Sequence, residues 1–301
     1  MKYKVAQIVP YFGKWPEWIE LYFFSCGRNP MVDFIFYTDC PLPKHQYKNT
    51  IFHQCTFEEY KKLVGERLGI DYSIKKAYKL TDLKPFLGAV HKYELKSYDF
   101  WGFGDLDLVY GDLCMMINNK KLSKYDLITS HSYRVAGHFT IVRNNESYRN
   151  LCFKIKNWKE GLVEDQHHGF DEMDWSDLIN PFGRNLGRIY RYIFQHLSVS
   201  LYHFYDVSNR FLLRKKYMKE YYTTPNPTLP EGTSPIWTYE NKSGKIIDPQ
   251  GRVLPYLHFM CFKKNIWIDT KEYWMNGFYQ LDEQFEKYGK IIFDKNRIIG
   301  V

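Results

Sequence analysis

Long apolar runs, paired cysteines and internal repeats are all missing from this sequence. No stretch approaches 18 consecutive apolar residues, which excludes a transmembrane helix. The six cysteines are scattered singly and form no Cys-x-x-Cys pair, so neither a zinc ribbon nor a dithiol redox site is expected. The apolar segment at the N-terminus is too short for a signal peptide. We therefore expect a cytoplasmic protein whose cysteines are buried apolar residues.

Aromatic and basic residues, by contrast, are plentiful. Aromatic residues make up 19% of the 301 residues, and the formal net charge is +8. Residues 181–222 contain eight basic and two acidic residues, a net charge of +6. An interfacial helix of this composition can lie on anionic lipid, which suggests peripheral contact with the inner face of a membrane. A packed helix pair whose charges face water explains the same composition.

The first 40 residues have the pattern of a βαβ unit. Residues 4–9 and 32–39 predict buried strands, and residues 16–24 predict a helix between them. Ligands of open α/β sheets bind beyond the carboxyl ends of the strands. The chain is long enough for one large α/β domain or two small ones, and this pattern favours the α/β class.

The chain is organised around an acidic motif between Tyr98 and Leu113. An aromatic, strand-like run ends in Gly-Asp-Leu-Asp, which presents Asp105 and Asp107 two residues apart. Side chains two residues apart in an extended chain point to the same face, so both carboxylates should face one point. Converging carboxylates repel each other unless a cation lies between them, and oxygen ligands suit a hard divalent ion. Two solvated aspartates at a strand end are the alternative.

Other elements flank this motif. A helix is predicted to open at Thr81, and strands are predicted at residues 126–130 and 137–144. A cluster of carboxylates and histidines follows at residues 164–175. Residues 237–259 suggest a small antiparallel set of strands.

These residues together resemble a known family over the whole chain. The chain is similar to bacterial nucleotide-sugar-dependent glycosyltransferases of the GT-A fold, the type found in capsule and lipopolysaccharide gene clusters. The likeness rests on the early βαβ unit and on three further segments: Thr-Asp-Leu-Lys-Pro at 81–85, Tyr-Asp-Phe-Trp-Gly-Phe-Gly-Asp-Leu-Asp at 98–107 and His-Phe-Met-Cys-Phe-Lys-Lys at 258–264.

The resemblance implies an α/β GT-A fold, a Rossmann-like mixed sheet flanked by helices, with a C-terminal helical and small β elaboration. Residues 1–180 would form the nucleotide-sugar-binding core, and 181–235 a basic, aromatic helical segment and loop. Residues 236–301 would complete the active site. The implied activity is metal-dependent transfer of a hexose from a nucleotide-sugar, a UDP-sugar, to a saccharide or lipid-linked acceptor in surface polysaccharide biosynthesis.

The resemblance also implies roles at matching positions. Asp105, Asp107 and His258 would hold Mn²⁺ or Mg²⁺ against the diphosphate of the donor, with Asp105 also near the ribose. Lys263 or Lys264 would neutralise phosphate.

Further donor contacts are implied at three positions nearer the N-terminus. Lys84 would reach the nucleotide or its phosphates. Tyr11 and Asp39, at strand ends, are the candidates for the base and the ribose.

The second half of the core is the richest source of acids for a general base. An inverting transferase needs a base to deprotonate the acceptor hydroxyl. Asp171 and Glu172 are the candidates for this role, and an acidic helix start is their structural alternative. His138 is a further candidate to line the cleft.

Two alternatives from other classes remain. Asp105-Leu106-Asp107-Leu108-Val109 also fits the nucleophile motif of haloacid-dehalogenase-type phosphatases, although that motif normally ends the first strand of its domain. A non-enzymatic, basic nucleic-acid-binding protein is the second alternative. No recognised nucleic-acid-binding motif accompanies the charge, so we expect no nucleic-acid partner.

Overall fold

The computed structural model describes residues 1–180, 215–225, 235–262 and 277–301. Within these ranges the main sheet contains seven strands in the order β3-β2-β1-β4-β7-β6-β8. Its strands are β1 (Val5–Pro10), β2 (Val32–Thr38), β3 (Thr50–Gln54), β4 (Phe100–Gly104), β6 (Leu127–Thr129), β7 (Phe139–Arg143) and β8 (Lys216–Met218). The first four strands are mutually parallel, β7 is antiparallel to both its neighbours, and β8 is parallel to β6.

Short helices flank this sheet. The α-helices are α1 (Ile19–Gly27), α2 (Phe57–Leu68), α3 (Leu87–Val90), α4 (Asn119–Lys124), α5 (Glu146–Arg149), α6 (Trp158–Val163) and α7 (Asp174–Ile179). The 3₁₀ helices span Ala77–Phe86, Glu94–Ser97, Leu113–Met115, Leu151–Lys154, Met260–Phe262 and Phe285–Lys287. The prediction of an α/β fold with a mixed sheet flanked by helices is confirmed, and the central sheet is mostly parallel. In the described part of the chain, no helix combines the length and apolarity needed to cross a membrane.

The remaining strands build two smaller sheets. These strands are β5 (Leu108–Tyr110), β9 (Trp237–Glu240), β10 (Lys245–Ile247), β11 (Val253–Leu254), β12 (Tyr256–His258), β13 (Lys290–Phe293) and β14 (Ile298–Gly300). One sheet has the order β11-β10-β9-β13-β14 and is antiparallel throughout, and the other is the antiparallel pair β12-β5. The small antiparallel set predicted over residues 237–259 is therefore present in part: β9, β10 and β11 form it, two strands from the last residues join them, and β12 pairs with β5 instead.

Alternating side chains divide the core between the two faces of the main sheet. In β1, Ala6 and Ile8 pack with α2 and the Ala77–Phe86 helix, whereas Val5 and Val9 pack with α1. This period of two is what a strand buried on both faces requires. Helix α1 is buried on nearly every side because the five-stranded sheet covers its outer face.

Three local predictions differ from the structure. The helix predicted to open at Thr81 begins at Ala77, and the Thr81 hydroxyl donates to the Tyr78 carbonyl (2.8 Å) instead of capping the helix. The first helix begins at Ile19, three residues after the predicted start at residue 16. Lys216–Met218, inside the segment predicted to be helical, pairs with β6 as a strand because its backbone completes the sheet edge. The remainder of that segment, residues 181–214, lies outside the described residues, as does the membrane prediction that rests on it.

Candidate metal and catalytic site

The acidic motif lies at the carboxyl end of β4, next to β1. Strands β2 and β3 lie on one side of β1, and β4 lies on its other side, so the strand order reverses between β1 and β4. Open α/β sheets bind ligands at such a switch point, beyond the carboxyl ends of the strands. Residues 105–107 are not extended, in contrast to the prediction, but form a bend between β4 and β5. The bend is held by the Trp18 indole, which donates to the Leu106 carbonyl (2.8 Å), and by the Asp105 amide, which donates to the His138 carbonyl (3.2 Å).

The bend nevertheless directs both carboxylates toward one histidine. Strand β12 pairs with β5 so that His258 lies opposite Leu108. The Nε2 atom of His258 is 3.4 Å from Asp107 Oδ1 and 4.0 Å from Asp105 Oδ2. One potential ligand atom from each of the three residues lies within 4.8 Å of the other two. The structure thus brings together the three residues that the resemblance implies as metal ligands.

The surroundings of His258 fit a bound cation. Its side chain is 4% exposed, and Nε2 has no hydrogen-bond partner among the described residues. Its Nδ1 atom is 3.0 Å from the Thr224 hydroxyl, and an Nδ1–H donated there leaves the Nε2 lone pair facing the carboxylates. A buried polar atom without a partner costs free energy, which a metal bond would remove. Two carboxylates and one imidazole are a donor set that Mn²⁺ or Mg²⁺ accepts.

A second histidine, His138, packs against His258. The ring of His138 stacks on that of His258, with centroids 4.2 Å apart and an interplanar angle of 20°. Burial, together with the neighbouring His258, lowers the pKa of His138 well below its usual value, so it is neutral. Its Nε2 atom is 3.4 Å from the Ser130 hydroxyl. The predicted cleft residue His138 therefore lies against the candidate ligand His258.

Lys84 links the acidic motif to the predicted base. Its Nζ atom is 2.5 Å from Asp105 Oδ1 and 3.6 Å from Asp171 Oδ2, and the side chain is only 11% exposed. Burial disfavours the ammonium, but Asp105 and Asp171 outweigh it and raise the pKa of Lys84 above its usual range. Lys84 is a fixed charge between two carboxylates and holds Asp105 and Asp171 near each other.

The two candidate bases have different environments. Burial raises the pKa of Asp171 to about 6, although Lys84 opposes the rise. Glu172 forms an ion pair with Arg134 and accepts a hydrogen bond from the Gly137 amide (3.2 Å). A general base works best with a pKa near the working pH and without a tight ion pair on its oxygens. Arg134 forms a tight ion pair with Glu172, whereas Lys84 is 3.6 Å from Asp171, so the geometry favours Asp171 over Glu172.

The loop that carries Asp171 is anchored by a buried ion pair that the sequence did not reveal. Asp82 is fully buried and lies 2.8 Å from Lys79 Nζ. It also accepts backbone hydrogen bonds from His168 (3.0 Å) and Gly169 (2.7 Å). Burial opposes its charge, but hydrogen bonds, with that from the His167 ring foremost, hold the pKa of Asp82 well below its usual range. The signal in the sequence is the Lys-x-x-Asp spacing, which puts both side chains on one side of the Ala77–Phe86 helix.

Tyr11 and Asp39 form a separate group at the carboxyl ends of β1 and β2. Tyr11 stacks on Trp15, with centroids 5.1 Å apart, and its hydroxyl donates to the Lys14 carbonyl (2.8 Å). Asp39 is exposed and accepts a hydrogen bond from the Gly13 amide (2.7 Å). Both residues shape the loop after β1, and their roles toward a base and a ribose stay predictions. Lys263 and Lys264, the predicted phosphate contacts, lie outside the described residues.

Comparison with known proteins gives a family for nearly the whole chain. Residues 7–289 match the model of a family of unknown function, DUF6625. No curated protein and no solved structure matches the sequence significantly. The match covers the main sheet, the acidic motif and His258. The chain therefore belongs to the family of unknown function DUF6625.

Proposed function

We propose that this protein is a metal-dependent glycosyltransferase of the GT-A fold. The observation that carries the proposal is the convergence of Asp105, Asp107 and His258 at the carboxyl end of a central strand, where Nε2 of His258 has no hydrogen-bond partner among the described residues. Such a cluster at the switch point of a mixed sheet is where a nucleotide and its diphosphate would bind. The proposed donor is a nucleotide-sugar, with a UDP-sugar as the first candidate, and the proposed acceptor is a saccharide or lipid-linked saccharide in surface polysaccharide synthesis.

The topology supports the GT-A proposal. Four parallel strands in the order β3-β2-β1-β4 precede the acidic motif, and the antiparallel β7 extends the sheet beyond it. The motif follows the fourth strand of the sheet, a placement that does not favour the phosphatase alternative.

The chemistry of the cleft suits glycosyl transfer. The bond from the anomeric carbon to the diphosphate oxygen breaks while a bond to the acceptor oxygen forms. A divalent cation would stabilise the negative charge that develops on the departing diphosphate. Asp105, Asp107 and His258 would hold this cation, and Lys84 fixes Asp105 from the opposite side.

Asp171 is the group that we propose to accept the proton of the acceptor hydroxyl. It is 5% exposed, and its Oδ1 atom accepts a hydrogen bond from the Glu172 amide (2.9 Å). Oδ2 faces Lys84 at 3.6 Å, a distance longer than that of a tight ion pair. A carboxylate held this way is fixed in orientation and only partly neutralised, as a general base requires.

Nucleotide binding tests the proposal directly. We expect Mn²⁺ with one of the UDP-, GDP-, CMP- or dTDP-sugars to raise the melting temperature, and EDTA to abolish the rise. Asp107→Asn and His258→Ala should both lose the metal-dependent rise, because the first replaces a charged carboxylate by a neutral amide and the second removes the imidazole. Asp112→Asn is the matched control, since this exposed aspartate lies just beyond the motif. Equal nucleotide binding in EDTA, or a metal-dependent rise that survives in Asp107→Asn, would refute the proposed metal site.

A further inference from the structure

A basic cleft lies at the amino end of β4, whereas the acidic motif lies at the carboxyl end of the same strand. It has a volume of about 390 Å³ and is lined by Lys92, Tyr93, Lys96, Tyr98, Asn144 and Arg149. Tyr98 precedes β4 and Asn144 follows the antiparallel β7, so both mark the amino end of β4. Five strand residues, about 16 Å at 3.3 Å per residue, separate this end from Asp105. The cleft is therefore distinct from the candidate metal site.

The cleft has more basic than acidic groups around it: one carboxylate, Asp33, accepts a hydrogen bond from the Tyr98 hydroxyl (2.9 Å). Three of its six lining residues are basic, and none of the six is acidic. Among the described residues, no carboxylate lies within 4.0 Å of the charged groups of Lys92, Lys96 or Arg149. The nearby Arg67 differs, because its guanidinium pairs with Glu94 (3.1 Å).

These cations are also crowded around one aromatic ring. Lys92 Nζ, Lys96 Nζ and the Arg67 guanidinium carbon lie 4.8, 5.4 and 4.3 Å from the centroid of Tyr93. Each contact is favourable alone, but the like charges repel one another. A bound anion would relieve this repulsion.

The arginine of the cleft is held in place. The Asn144 amide donates to the carbonyls of Leu95 and Tyr98, both at 2.8 Å. Its Oδ1 atom accepts a hydrogen bond from Arg149 Nη1 (2.6 Å). Arg149 is thereby oriented by a fixed side chain while its remaining donors are left for a ligand, as bidentate recognition of an anion requires.

We propose that this cleft binds a phosphate group carried by a small molecule or by a lipid headgroup. A planar guanidinium and two ammonium groups match the charge and the oxygen geometry of a phosphate. The volume lies within the range of small-molecule sites, which is about 300–1,000 Å³. The site does not depend on the proposed transferase activity, since it shares no residue with the metal cluster.

Inorganic pyrophosphate is the soluble probe. Titration calorimetry in EDTA, at low salt, should show binding that weakens as salt rises. The triple variant Lys92→Gln, Lys96→Gln, Arg149→Gln should bind pyrophosphate at least tenfold more weakly. Arg149→Lys should show a smaller loss, because lysine keeps the positive charge but lacks the paired N–H donors of the guanidinium. The matched control replaces the exposed Lys242, Lys245 and Lys290 by Gln and should bind as the native chain does.

Vesicle flotation distinguishes the source of the phosphate. Phosphatidylcholine vesicles with and without phosphatidic acid are compared for the native chain and the cleft triple variant. Binding that requires both phosphatidic acid and the three basic residues assigns the site to a lipid headgroup. Pyrophosphate binding without flotation assigns it to a soluble phosphate ester. The proposal is overturned if the native chain binds neither probe, or if the triple variant binds as tightly as the native chain while its circular dichroism shows it folded.

Discussion

Asp171→Asn is expected to gain stability relative to the native chain as the pH rises, and to slow the proposed sugar transfer strongly. Asp171 is 5% exposed, and burial raises its pKa to about 6 against the opposing effect of Lys84. An aspartate in the unfolded chain has a pKa of about 3.9. The native carboxylate therefore loses a proton less readily than the unfolded one, so its ionisation works against folding.

The sign and size follow from proton linkage. Because the native pKa is raised, the contribution of Asp171 to stability is complete below about pH 4 and is lost as the pH rises through about 6. The full loss is about 3 kcal/mol, from about two pKa units at 1.36 kcal/mol each. Between pH 5 and pH 8, about 1.4 kcal/mol of this loss occurs. The asparagine variant cannot ionise, so it escapes the loss.

Urea unfolding at pH 5 and pH 8, in EDTA, measures the effect. The free energy of unfolding of Asp171→Asn minus that of the native chain should be about 1.4 kcal/mol more positive at pH 8 than at pH 5. Asp174→Asn, an exposed carboxylate three residues on, controls for removal of a charge from the same segment. In the same preparation, the transfer rate should fall by a factor of about 10²–10⁴, the usual contribution of a general base.

Two results would refute this reasoning. A difference that stays constant with pH would show that Asp171 ionises as readily in the native chain as in the unfolded one. Full transfer activity in the variant would show that another group accepts the acceptor proton.

Four further outcomes test other parts of the structure. Gly137→Ala should slow the proposed transfer at least tenfold with little change in the urea midpoint. A Cβ there would lie 2.4 Å from Asp171 Oδ2, so the Asp171 carboxylate would have to move. An unchanged rate would mean that the position of this carboxylate is not needed. Asp82→Asn should cost about 3 kcal/mol in urea unfolding because Lys79 is left buried without its counterion. The cost should shrink below about pH 4, because there the unfolded native sequence takes up a proton at Asp82 while the folded chain, with its lowered pKa, does not. Thr56→Ala should cost about 1 kcal/mol, since the Thr56 hydroxyl accepts from the N3 amide of α2, and Thr56→Ser is the control that keeps the cap. The native chain should release no phosphate from p-nitrophenyl phosphate; release that is lost in Asp105→Asn would favour the phosphatase alternative.

The regular elements of the core could be predicted from local pattern alone. Strands β1 and β2, helix α2 and the βαβ order follow from apolar periodicity and turn residues, which act over a few positions. The bend at residues 105–107 could not be predicted, because its hydrogen bonds come from Trp18 and from the His138 carbonyl, which are distant in the chain.

The candidate site divides in the same way. The sequence by itself determined that two carboxylates, Asp105 and Asp107, are neighbours, and the cation between them stays a prediction. Only the tertiary structure decided that His258 faces them, since its position depends on the pairing of β12 with β5. Only the fold, likewise, decided that Lys84 lies between Asp105 and Asp171, because Lys79 and Asp82 anchor the loop that carries Asp171. Short-range pattern fixes which element forms, whereas the approach of side chains from distant elements depends on how the sheets and buried ion pairs pack together.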